Sequence, residues 1–408
     1  MELRPGYKQT EVGVIPEDWE VKRLSEIGEP LIGLTYKPSD VRSNGLLVLR
    51  SSNVSDGALQ FDDNVFVDMD VPERIIVRKG DILICVRNGS RDLIGKCAQI
   101  DERAEGMTFG AFMAVFRTPF HGFVYHQFKS SLIKKQINEH LGATINQITN
   151  KSLNSFQVPF PEDEDEQRAI AEALGDVDAL IGALDRLIAK KRDLKQATMQ
   201  QLLTGQTHLP GFSGEWEVKQ LGELAEIISG GTPKTGEPSY WNGSIKWCTP
   251  TDITGCSAKY LVDTERAIST DGLASCSAQL LPIGSLLLCS RATIGEVRIA
   301  GCEICTNQGF KSLVCMPGVS NEFLYYKLLT MKSQMIERAI GSTFLEISKK
   351  DTAALELSIP EHAEQTAIAA VLSDMDAEIA ALTQRRDKTR ALKQGMMQEL
   401  LTGRTRLL

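Results

Sequence analysis

The 408-residue sequence lacks any apolar run long enough to cross a membrane. Its longest apolar stretch, Leu280 to Cys289, is interrupted by a proline and a glycine. That is far short of the ~18 residues that a membrane span requires. The N-terminal segment MELRPGYKQTEVGV has no apolar signal core, so it does not predict export. Nine cysteines spread over such a chain favour free thiols in a reducing compartment, and we expect a cytoplasmic protein without membrane contact.

The sequence also lacks an excess of basic residues, since 45 Lys and Arg stand against 53 Asp and Glu, for a formal net charge of −8. This balance argues against a protein that holds nucleic acid on a broadly basic surface. Half of the acidic excess falls in residues 161–205, which contain 10 acidic and 6 basic side chains. The acidity therefore predicts weak nonspecific affinity for nucleic acid, and it does not exclude specific binding.

Catalytic and metal-binding motifs are missing as well. The segment Gly89 to Cys97 comes close to a phosphate-binding loop, but its glycine spacing is wrong and a cysteine stands where the hydroxyl belongs. There is neither a dinucleotide fingerprint nor the N-P-P-[YF] tetrapeptide of amino-methyltransferases. Cys302 and Cys305 have metal-ligand spacing without two further ligands nearby, and the five histidines form no metal-binding pair. We predict no catalytic residue, no metal site and no cofactor of the chain's own.

The chain repeats itself once, with a period of about 198 residues. Its length and its 42% hydrophobic content already suit two or more domains with real cores. Because a repeat this long is a domain together with an adjoining segment, it predicts a tandem duplication. Three segments carry the match in order: Trp19–Leu24 returns as Trp216–Leu221, Gln167–Ala171 as Gln365–Ala369, and Leu202–Gly205 as Leu400–Gly403.

Each repeat begins with about 160 residues of mixed strand and helix signals. The runs Leu46–Leu49, Ile82–Val86 and Ala111–Phe116 predict strands separated by glycine-containing turns. A helix is predicted from about Val124 to His140, with its counterpart from about Glu322 to Ala339. We therefore predict an α+β fold with globular domains over residues 1–160 and 206–359.

The remainder of each repeat, residues 161–205 and 360–408, predicts a long helix. An acidic first turn suits the positive end of the helix dipole, and glycines at 205 and 403 suit the C-terminal stops. Apolar residues alternate at steps of four and three, as in a coiled-coil seam. The predicted seam consists of Ile170, Leu174, Val177, Ile181, Leu184 and Ile188 in the first helix and Ile368, Leu372, Met375, Ile379 and Leu382 in the second. We expect the helices to pair as an antiparallel coiled coil in a pseudo-two-fold molecule, the alternative being that each folds back on its own globule.

The loops of the second globule are rich in residues suited to recognition. They include GGTPK at 230–234, KWCTPTD at 246–252, RATIG at 291–295 and TNQG at 306–309. Glycines allow close backbone approach, and Arg, Lys, Asn, Gln and Thr can contact phosphates and base edges. Loops of this composition also suit carbohydrate or peptide binding.

These blocks, with GSTFLEIS and IPEHAEQTAIAAVLSDMDAEI after them, resemble the specificity (S) subunit of type I restriction-modification enzymes along essentially the whole chain. The resemblance implies a non-catalytic subunit whose two target-recognition domains each read one half of a bipartite, asymmetric double-stranded DNA target. It further implies that the helices set the spacing and dock two methyltransferase subunits, which carry S-adenosylmethionine, and that restriction/translocase subunits join this core. The alternatives are a self-contained DNA-modifying enzyme and a scaffold or glycan-binding protein.

Matched positions give the candidate DNA-contacting residues. The second globule follows the family pattern closely, whereas the first departs from it around Arg87 and has no counterpart of Asn307 and Gln308 beyond Thr108-Phe109-Gly110, so its base preference should differ. The candidates in the first copy are Tyr36, Lys37, Arg50, Ser51, Asn53, Arg87, Asn88, Arg91, Thr144 and Lys151. Those in the second are Thr232, Lys234, Tyr240, Trp241, Lys246, Trp247, Thr249, Arg291, Thr293, Asn307, Gln308 and Lys349.

Overall fold

The computed structural model describes residues 4–141, 146–341 and 345–407. The chain divides into two compact units, and neither is a continuous stretch of sequence. The first unit runs to Asp185 and resumes at Gln384, and the second spans Arg186–Thr383. Each unit therefore combines one globule with parts of both long helices.

The first unit is built from short strands and short helices that lead into a long helix. Its strands are β1 (Tyr7–Thr10), β2 (Gly13–Pro16), β3 (Trp19–Arg23), β4 (Glu29–Ile32), β5 (Val41–Arg42), β6 (Leu46–Leu49), β7 (Val54–Ser55), β8 (Ala58–Leu59), β9 (Phe66–Val67), β10 (Ile82–Cys85), β11 (Cys97–Gln99), β12 (Thr108–Phe109), β13 (Met113–Arg117) and β14 (Gln157–Pro161). Its helices are α1 (Leu24–Ile27), α2 (His121–Lys129), α3 (Ser131–His140), α4 (Asn150–Ser155) and the first part of α5 (Glu164–Leu202). The main sheets have the orders β11-β10-β13-β4 and β12-β6-β9-β5.

The second unit repeats this plan. Its strands are β15 (Glu217–Gln220), β16 (Ala225–Ser229), β17 (Trp241–Cys248), β18 (Tyr260–Leu261), β19 (Arg266–Ile268), β20 (Leu286–Leu288), β21 (Val297–Ala300), β22 (Cys305–Thr306), β23 (Lys311–Cys315) and β24 (Glu356–Ile359). Its helices are α6 (Leu221–Leu224), α7 (Pro250–Gly255), α8 (Thr270–Ala274), α9 (Asn321–Thr330), α10 (Lys332–Glu337), α11 (Lys349–Ala353) and the first part of α12 (His362–Leu400). The sheets have the orders β16-β23-β20-β21-β18 and β19-β17-β22. The α+β prediction is confirmed in both units.

A strand near the start of each globule pairs with the last strand of that globule. β3 lies antiparallel to β14, and β15 lies antiparallel to β24. In the first unit the fully buried Trp19 at the start of β3 donates its indole N–H to Glu166 at 3.0 Å, in the first turn of α5. The long helix therefore leaves each globule beside the point where the chain entered it.

The long helices pack antiparallel within each unit, as the seam predicts. In the first unit Asp178 of α5 pairs with Lys393 of α12, and Asp185 pairs with Arg390 at 3.0 Å. In the second unit Lys195 pairs with Asp376 at 2.5 Å. Numbers that rise along one helix fall along the other, which is the signature of an antiparallel pair. Among the predicted seam residues, Ile170, Leu174, Leu184, Ile188, Ile368 and Leu372 are buried and Val177, Ile181, Met375, Ile379 and Leu382 are half-buried.

The sequence left two arrangements open, the pairing of the two long helices and the packing of each helix on its own globule, and both occur. Ile170 and Leu174 near the start of α5 belong to the core of the first globule, and so do Leu400 and Leu401 at the far end of α12. In the second unit the start of α12 and the end of α5 join the core in the same way. Each helix thus packs on its own globule, and its other end completes the core of the other unit.

The predicted helix over 124–140 is in fact two helices. α2 ends at Lys129 and α3 begins at Ser131, because the hydroxyl of Ser130 accepts a hydrogen bond from the backbone N–H of Ile133 at 3.2 Å. This capping starts a new helix, and apolar spacing alone does not reveal it. The counterpart over 322–339 is likewise divided into α9 and α10.

All nine cysteines are free thiols. Burial raises the pKa of the Cys97 thiol to about 11, so it behaves as a small apolar core group. Among the described residues, no helix is both long enough and apolar enough to span a membrane.

A buried lysine supports the junction of globule and helix in the second unit. The ammonium of Lys327 on α9 donates a hydrogen bond to the carbonyl oxygen of Leu203, and burial lowers the pKa of this lysine to about 8. At the matching place in the first unit, the amide of Gln127 donates to the carbonyl oxygen of Leu401 at 3.3 Å. The junction of globule and helix is therefore made by a charged donor in the second unit and by a neutral donor in the first.

We expect Lys327→Gln to raise the stability of the chain at pH 7 by about 1–2 kcal/mol, because it removes a buried charge while keeping a donor for the carbonyl. The folded pKa of about 8 lies below the ordinary 10.5, so the unfolded chain binds more protons between these two values. The stability of the natural chain therefore rises with pH in that window, and the advantage of the variant shrinks there. Thermal unfolding from pH 7 to pH 10 measures this, and a constant difference between the two proteins would contradict it.

Candidate nucleic-acid interface

The recognition loops of the second unit follow four strands, two in each of its larger sheets. β16 and β20 both lie antiparallel to β23, so they run in the same direction. β17 lies parallel to β22. The residues that follow these strands include Thr232, Thr249, Arg291, Asn307 and Gln308, which we call the second patch.

A close backbone approach joins two of these loops. The backbone N–H of Gly231 donates to the carbonyl oxygen of Thr306 at 2.9 Å. A Cβ on Gly230 would lie 2.0 Å from the carbonyl oxygen of Asn307, so only glycine fits there. As a result the hydroxyl of Thr232 reaches the side-chain amide oxygen of Gln308.

Further hydrogen bonds bring the rest of the second patch to the same place. The N–H of Asn307 donates to the carbonyl oxygen of Cys248 at 3.0 Å, immediately before Thr249. The side-chain oxygen of Asn307 accepts from the N–H of Gly309 at 2.8 Å. The carbonyl oxygen of Gly309 accepts from Ser290, the neighbour of Arg291, at 2.8 Å. The patch therefore gathers one guanidinium, two amides and two hydroxyls.

The two tryptophans differ in position. Trp247 is buried, and its indole N–H donates to the carbonyl oxygen of Gly231 at 2.9 Å, so it supports the loop from inside and we leave it out of the contact surface. Trp241 is half-buried, and its indole N–H donates to the carbonyl oxygen of Lys234 at 3.1 Å. The guanidinium of Arg266, on neighbouring β19, stacks 3.7 Å from the centre of the Trp241 ring. Arg266 is an exposed cation beside the loops that sequence reasoning missed, because only the pairing of β17 with β19 brings it there.

The other predicted residues of the second unit are not part of the second patch. Lys246 forms an ion pair with Asp263 at 3.2 Å. Lys234 is exposed, and Tyr240 and Thr293 are half-buried. Lys349 is exposed at the start of α11, just after Glu346, which forms a backbone bridge with Arg291.

The first unit has the same backbone frame with different side chains. The N–H of Leu34 donates to the carbonyl oxygen of Phe109 at 2.7 Å, and the N–H of Gly110 donates to that of Leu49 at 2.9 Å. A Cβ on Gly33 would lie 2.3 Å from the carbonyl oxygen of Gly110. These contacts place Gly110 at the position of Asn307 and Ala111 at that of Gln308. The structural match is shifted by one residue from the sequence comparison, which set Thr306-Asn307-Gln308 against Thr108-Phe109-Gly110. The amide pair of the second patch is absent from this loop.

Arg50, Ser51, Arg87 and Asn88 form the corresponding first patch. The amide of Asn88 donates to the hydroxyl of Ser51 at 3.3 Å, and Arg50 forms an ion pair with Asp63 at 2.8 Å. The guanidinium of Arg87 lies 5.0 Å from the centre of the Phe112 ring, which is 57% exposed. Phe112 is a surface aromatic that the sequence pattern assigns to a strand.

Asn53 is an internal residue. It is fully buried, its side-chain oxygen accepts from the N–H of Arg50 at 2.9 Å, and its amide donates to the carbonyl oxygen of Gln60 at 2.9 Å. Asp252 makes the same cap on the N–H of Thr249 at 2.7 Å in the second unit. We therefore treat Asn53 as a residue that positions Arg50 and leave it out of the contact surface.

The remaining predicted residues of the first unit are not part of the first patch. Arg91 donates to the carbonyl oxygen of Asn138 at 3.3 Å. Tyr36 is half-buried, and Lys37 and Lys151 are exposed. Thr144 lies outside the described residues.

The arginine loops differ in length between the units. In the first unit, the N–H of Gly95 closes the loop on the carbonyl oxygen of Cys85 at 2.8 Å. In the second, the N–H of Gly295 closes it on that of Cys289 at 3.1 Å. The first loop is therefore four residues longer, and its extra residues include Arg91.

Across the residues that the structure describes, no group of three or more His, Cys, Asp or Glu side chains is placed to hold a metal ion. Burial raises the pKa of the Cys289 thiol to about 11, and burial lowers the pKa of His126 to about 3. Both groups are neutral at pH 7.

Comparison with known proteins connects this architecture to a family. Residues 16–190 and 213–389 match the family model of the type I restriction modification DNA specificity domain. The chain is 37% identical over 173 residues to the type I restriction enzyme MjaIX specificity subunit of Methanocaldococcus jannaschii, covering 42% of this chain and 40% of that protein. It is 26% identical over 428 residues to the putative type I restriction enzyme MjaX specificity subunit of the same organism, covering 98% of this chain and 97% of that protein.

Two solved structures share the fold. One is the type I restriction-modification system S subunit from M. genitalium, with a TM-score of 0.61, 15% identity and 98% of each chain covered. The other comes from a study of complex assembly and conformational transition of the type I R-M system. It has a TM-score of 0.58 and 20% identity, and the match covers 95% of this chain and 99% of that one.

The close approach at Gly230 can be tested by substitution. We expect Gly230→Ala to destabilise the second unit by about 1–3 kcal/mol, because the added methyl group meets backbone atoms that cannot move aside. Gly236→Ala is the matched control, since a Cβ on Gly236 meets nothing within 4 Å. Hydrogen exchange in residues 230–232 and 306–309 compares the two variants, and equal protection would show that the loops do not depend on this contact.

Proposed function

The chain belongs to the family of type I restriction-modification DNA specificity subunits, and from this premise we propose that each unit reads one half of a bipartite double-stranded DNA target. The observation that supports this most directly is the repetition of one backbone frame that presents two different sets of polar side chains. The recognition domains are residues 1–160 and 206–359, and the helical spacers are residues 161–205 and 360–408.

The second patch has the chemistry of base-edge recognition. An arginine suits the two acceptors on the major-groove edge of guanine, and an Asn or Gln amide suits the donor and acceptor of adenine. Arg291, Asn307 and Gln308 supply these groups. The first patch offers Arg50, together with Arg87 and Asn88 on a longer loop. Because the two sets differ, the two half-sites differ and the target is asymmetric.

The long helices suit a spacer role. α5 and α12 each contain 39 residues. At about 1.5 Å of rise per residue, each is roughly 58 Å long. The half-sites of a target read along one face of DNA are about 34–36 Å apart per helical turn, so a helix of this length suits a separation of one to two turns.

We propose that α5 also docks the methyltransferase subunits. Leu180, Leu187 and Leu194 are 40%, 38% and 50% exposed, and they recur at seven-residue intervals on this helix. Exposed leucines at heptad spacing lie along one helix face and can receive an amphipathic helix of another protein. Two methyltransferase subunits, which carry S-adenosylmethionine, supply the modification chemistry, and restriction/translocase subunits join the complex. The chain itself contributes recognition and no catalytic group.

Selection from a random duplex library tests the recognition role. The chain is incubated with its purified methyltransferase partner, and bound DNA is separated and sequenced. We expect enrichment of a bipartite, asymmetric sequence with a fixed spacer. Equal recovery of all sequences would refute the proposal, and methylation by this chain alone would show that it is an enzyme.

Substitution of the two arginines tests the division of the target. We expect Arg291→Ala to lose discrimination at bases of one half-site and Arg87→Ala at bases of the other, each by about 1–3 kcal/mol per base pair, because each arginine is assigned to a different half. Competition between the target and single-base variants measures this. Equal loss on the target and on random DNA would reduce the arginine concerned to a phosphate contact.

The docking face can be tested separately. We expect Leu187→Glu with Leu194→Glu to weaken association with the methyltransferase by at least tenfold, because two apolar side chains that the proposed interface buries are replaced by charged ones. Ile283→Glu is the control, since Ile283 is 68% exposed and lies on a turn of the globule. Analytical ultracentrifugation of each variant with the partner gives the affinity, and normal assembly of the double variant would place docking elsewhere.

A further inference from the structure

A basic cavity of about 860 Å³ lies in the first unit. Its walls come from the corner between α2 and α3, the start of β11 and the last turns of α12. The lining contains one carboxylate, that of Asp56. The cations that line it are Lys96, Lys129, Lys134, Arg390, Lys393 and Arg404.

Acidic neighbours outside the lining neutralise only part of this charge. Asp178 accepts from both Lys129 and Lys393, so one carboxylate serves two ammonium groups. Asp185 is likewise shared by Arg390 and Arg386. Within the described part of the chain, neither Lys96 nor Lys134 forms an ion pair with a carboxylate. The cavity therefore keeps an excess of positive charge in a chain whose net charge is −8.

Several cations of this lining are replaced in the second unit. The closing glycines of the arginine loops, Gly95 and Gly295, make equivalent hydrogen bonds, so Glu296 stands where Lys96 stands. Glu296 forms an ion pair with Lys332 at 2.8 Å.

Two further positions of the lining also lose a cation in the second unit, whereas one position, that of Gln127, gains the cation of Lys327 there. Gln127 and Lys327 make the matching contacts to the ends of the long helices, which puts Leu329 at the position of Lys129. The repeat of Leu202–Gly205 as Leu400–Gly403 puts Gln206 at the position of Arg404. Three cations of the first unit are thus replaced by an acid, an apolar residue and an amide.

The cavity adjoins the first patch. The ammonium of Lys96 donates to the carbonyl oxygen of Ser51 at 3.5 Å, and the hydroxyl of Ser51 accepts from the amide of Asn88 at 3.3 Å. Lys96 also follows Gly95, which closes the loop that carries Arg87. One lysine therefore lines the cavity and contacts a residue of the first patch.

We propose that this cavity binds backbone phosphates of the DNA next to the half-site that the first unit reads. The inference rests on the proposed DNA recognition. Direct continuity with the first patch favours DNA over an acidic protein segment, since a duplex that presents bases to Arg87 and Asn88 carries its phosphates past Lys96. Each phosphate that a lysine neutralises releases condensed counterions and makes binding more salt-dependent. The first unit thereby holds DNA electrostatically through Lys96, whereas the acidic Glu296 stands at that position in the second unit.

The test uses the chain assembled with its methyltransferase partner, and two duplex probes, the selected target and a random sequence. Lys96→Gln with Lys134→Gln removes two charges that lack carboxylate partners and leaves the buried pair on Asp178 intact. Lys135→Gln is the matched control, because Lys135 neighbours Lys134 on α3, is 75% exposed and lies outside the cavity.

We expect the double variant to bind both probes about tenfold more weakly, with the slope of log affinity against log salt reduced by about 2, since each phosphate contact contributes about 0.9. The control should keep the slope of the natural complex. An unchanged slope would overturn the phosphate site, and so would unchanged DNA binding with weaker methyltransferase assembly, which would assign the cavity to an acidic partner. If no sequence is selected by the natural complex, the recognition proposal fails, while the slope on the random duplex still tests the cavity.

Discussion

The fold depends on the burial of both ends of each long helix in globular cores. Ile170 at the start of α5 and Leu401 at the end of α12 lie in one core, and Ile368 and Leu203 lie in the other. Neither globule therefore completes its interior from its own segment of sequence. The two copies of the repeat fold as interdependent halves, and this dependence explains why neither compact unit is continuous in sequence.

This dependence leaves the recognition loops free to vary. The loops are held by main-chain contacts, such as the N–H of Gly231 on the carbonyl oxygen of Thr306, and by glycines that no other residue can replace. Backbone hydrogen bonds do not specify the neighbouring side chains. Asn307 in one unit and Gly110 in the other can therefore occupy one position of one frame. A change of target needs new side chains and a new loop length, and the frame itself is kept.

The sequence predicts what is periodic or repeated and misses what depends on contacts between distant segments. The duplication, the α+β globules, the two long helices and their seam all follow from patterns in the sequence, and the structure confirms them. Trp247 and Asn53 have the side chains of contact residues, but both are buried, and each donates a hydrogen bond to a backbone carbonyl oxygen inside its globule. Arg266 reaches the recognition loops only through strand pairing, so no local pattern reveals it. The division of one predicted helix at Ser130 likewise rests on a single side-chain cap.

The distribution of charge likewise depends on contacts between distant segments. A net charge of −8 is a sum over the chain, whereas binding depends on which charges the fold brings together. The cations of the basic cavity come from segments separated by up to about 300 residues, and α12 together with the residues just after it delivers three of them to the first globule. The burial of the end of α12 in the core of the first globule thus also places Arg390, Lys393 and Arg404 beside Lys96. An acidic chain can in this way hold a local excess of positive charge next to one reading loop, and its two units can differ in how strongly they hold DNA while sharing one way of reading it.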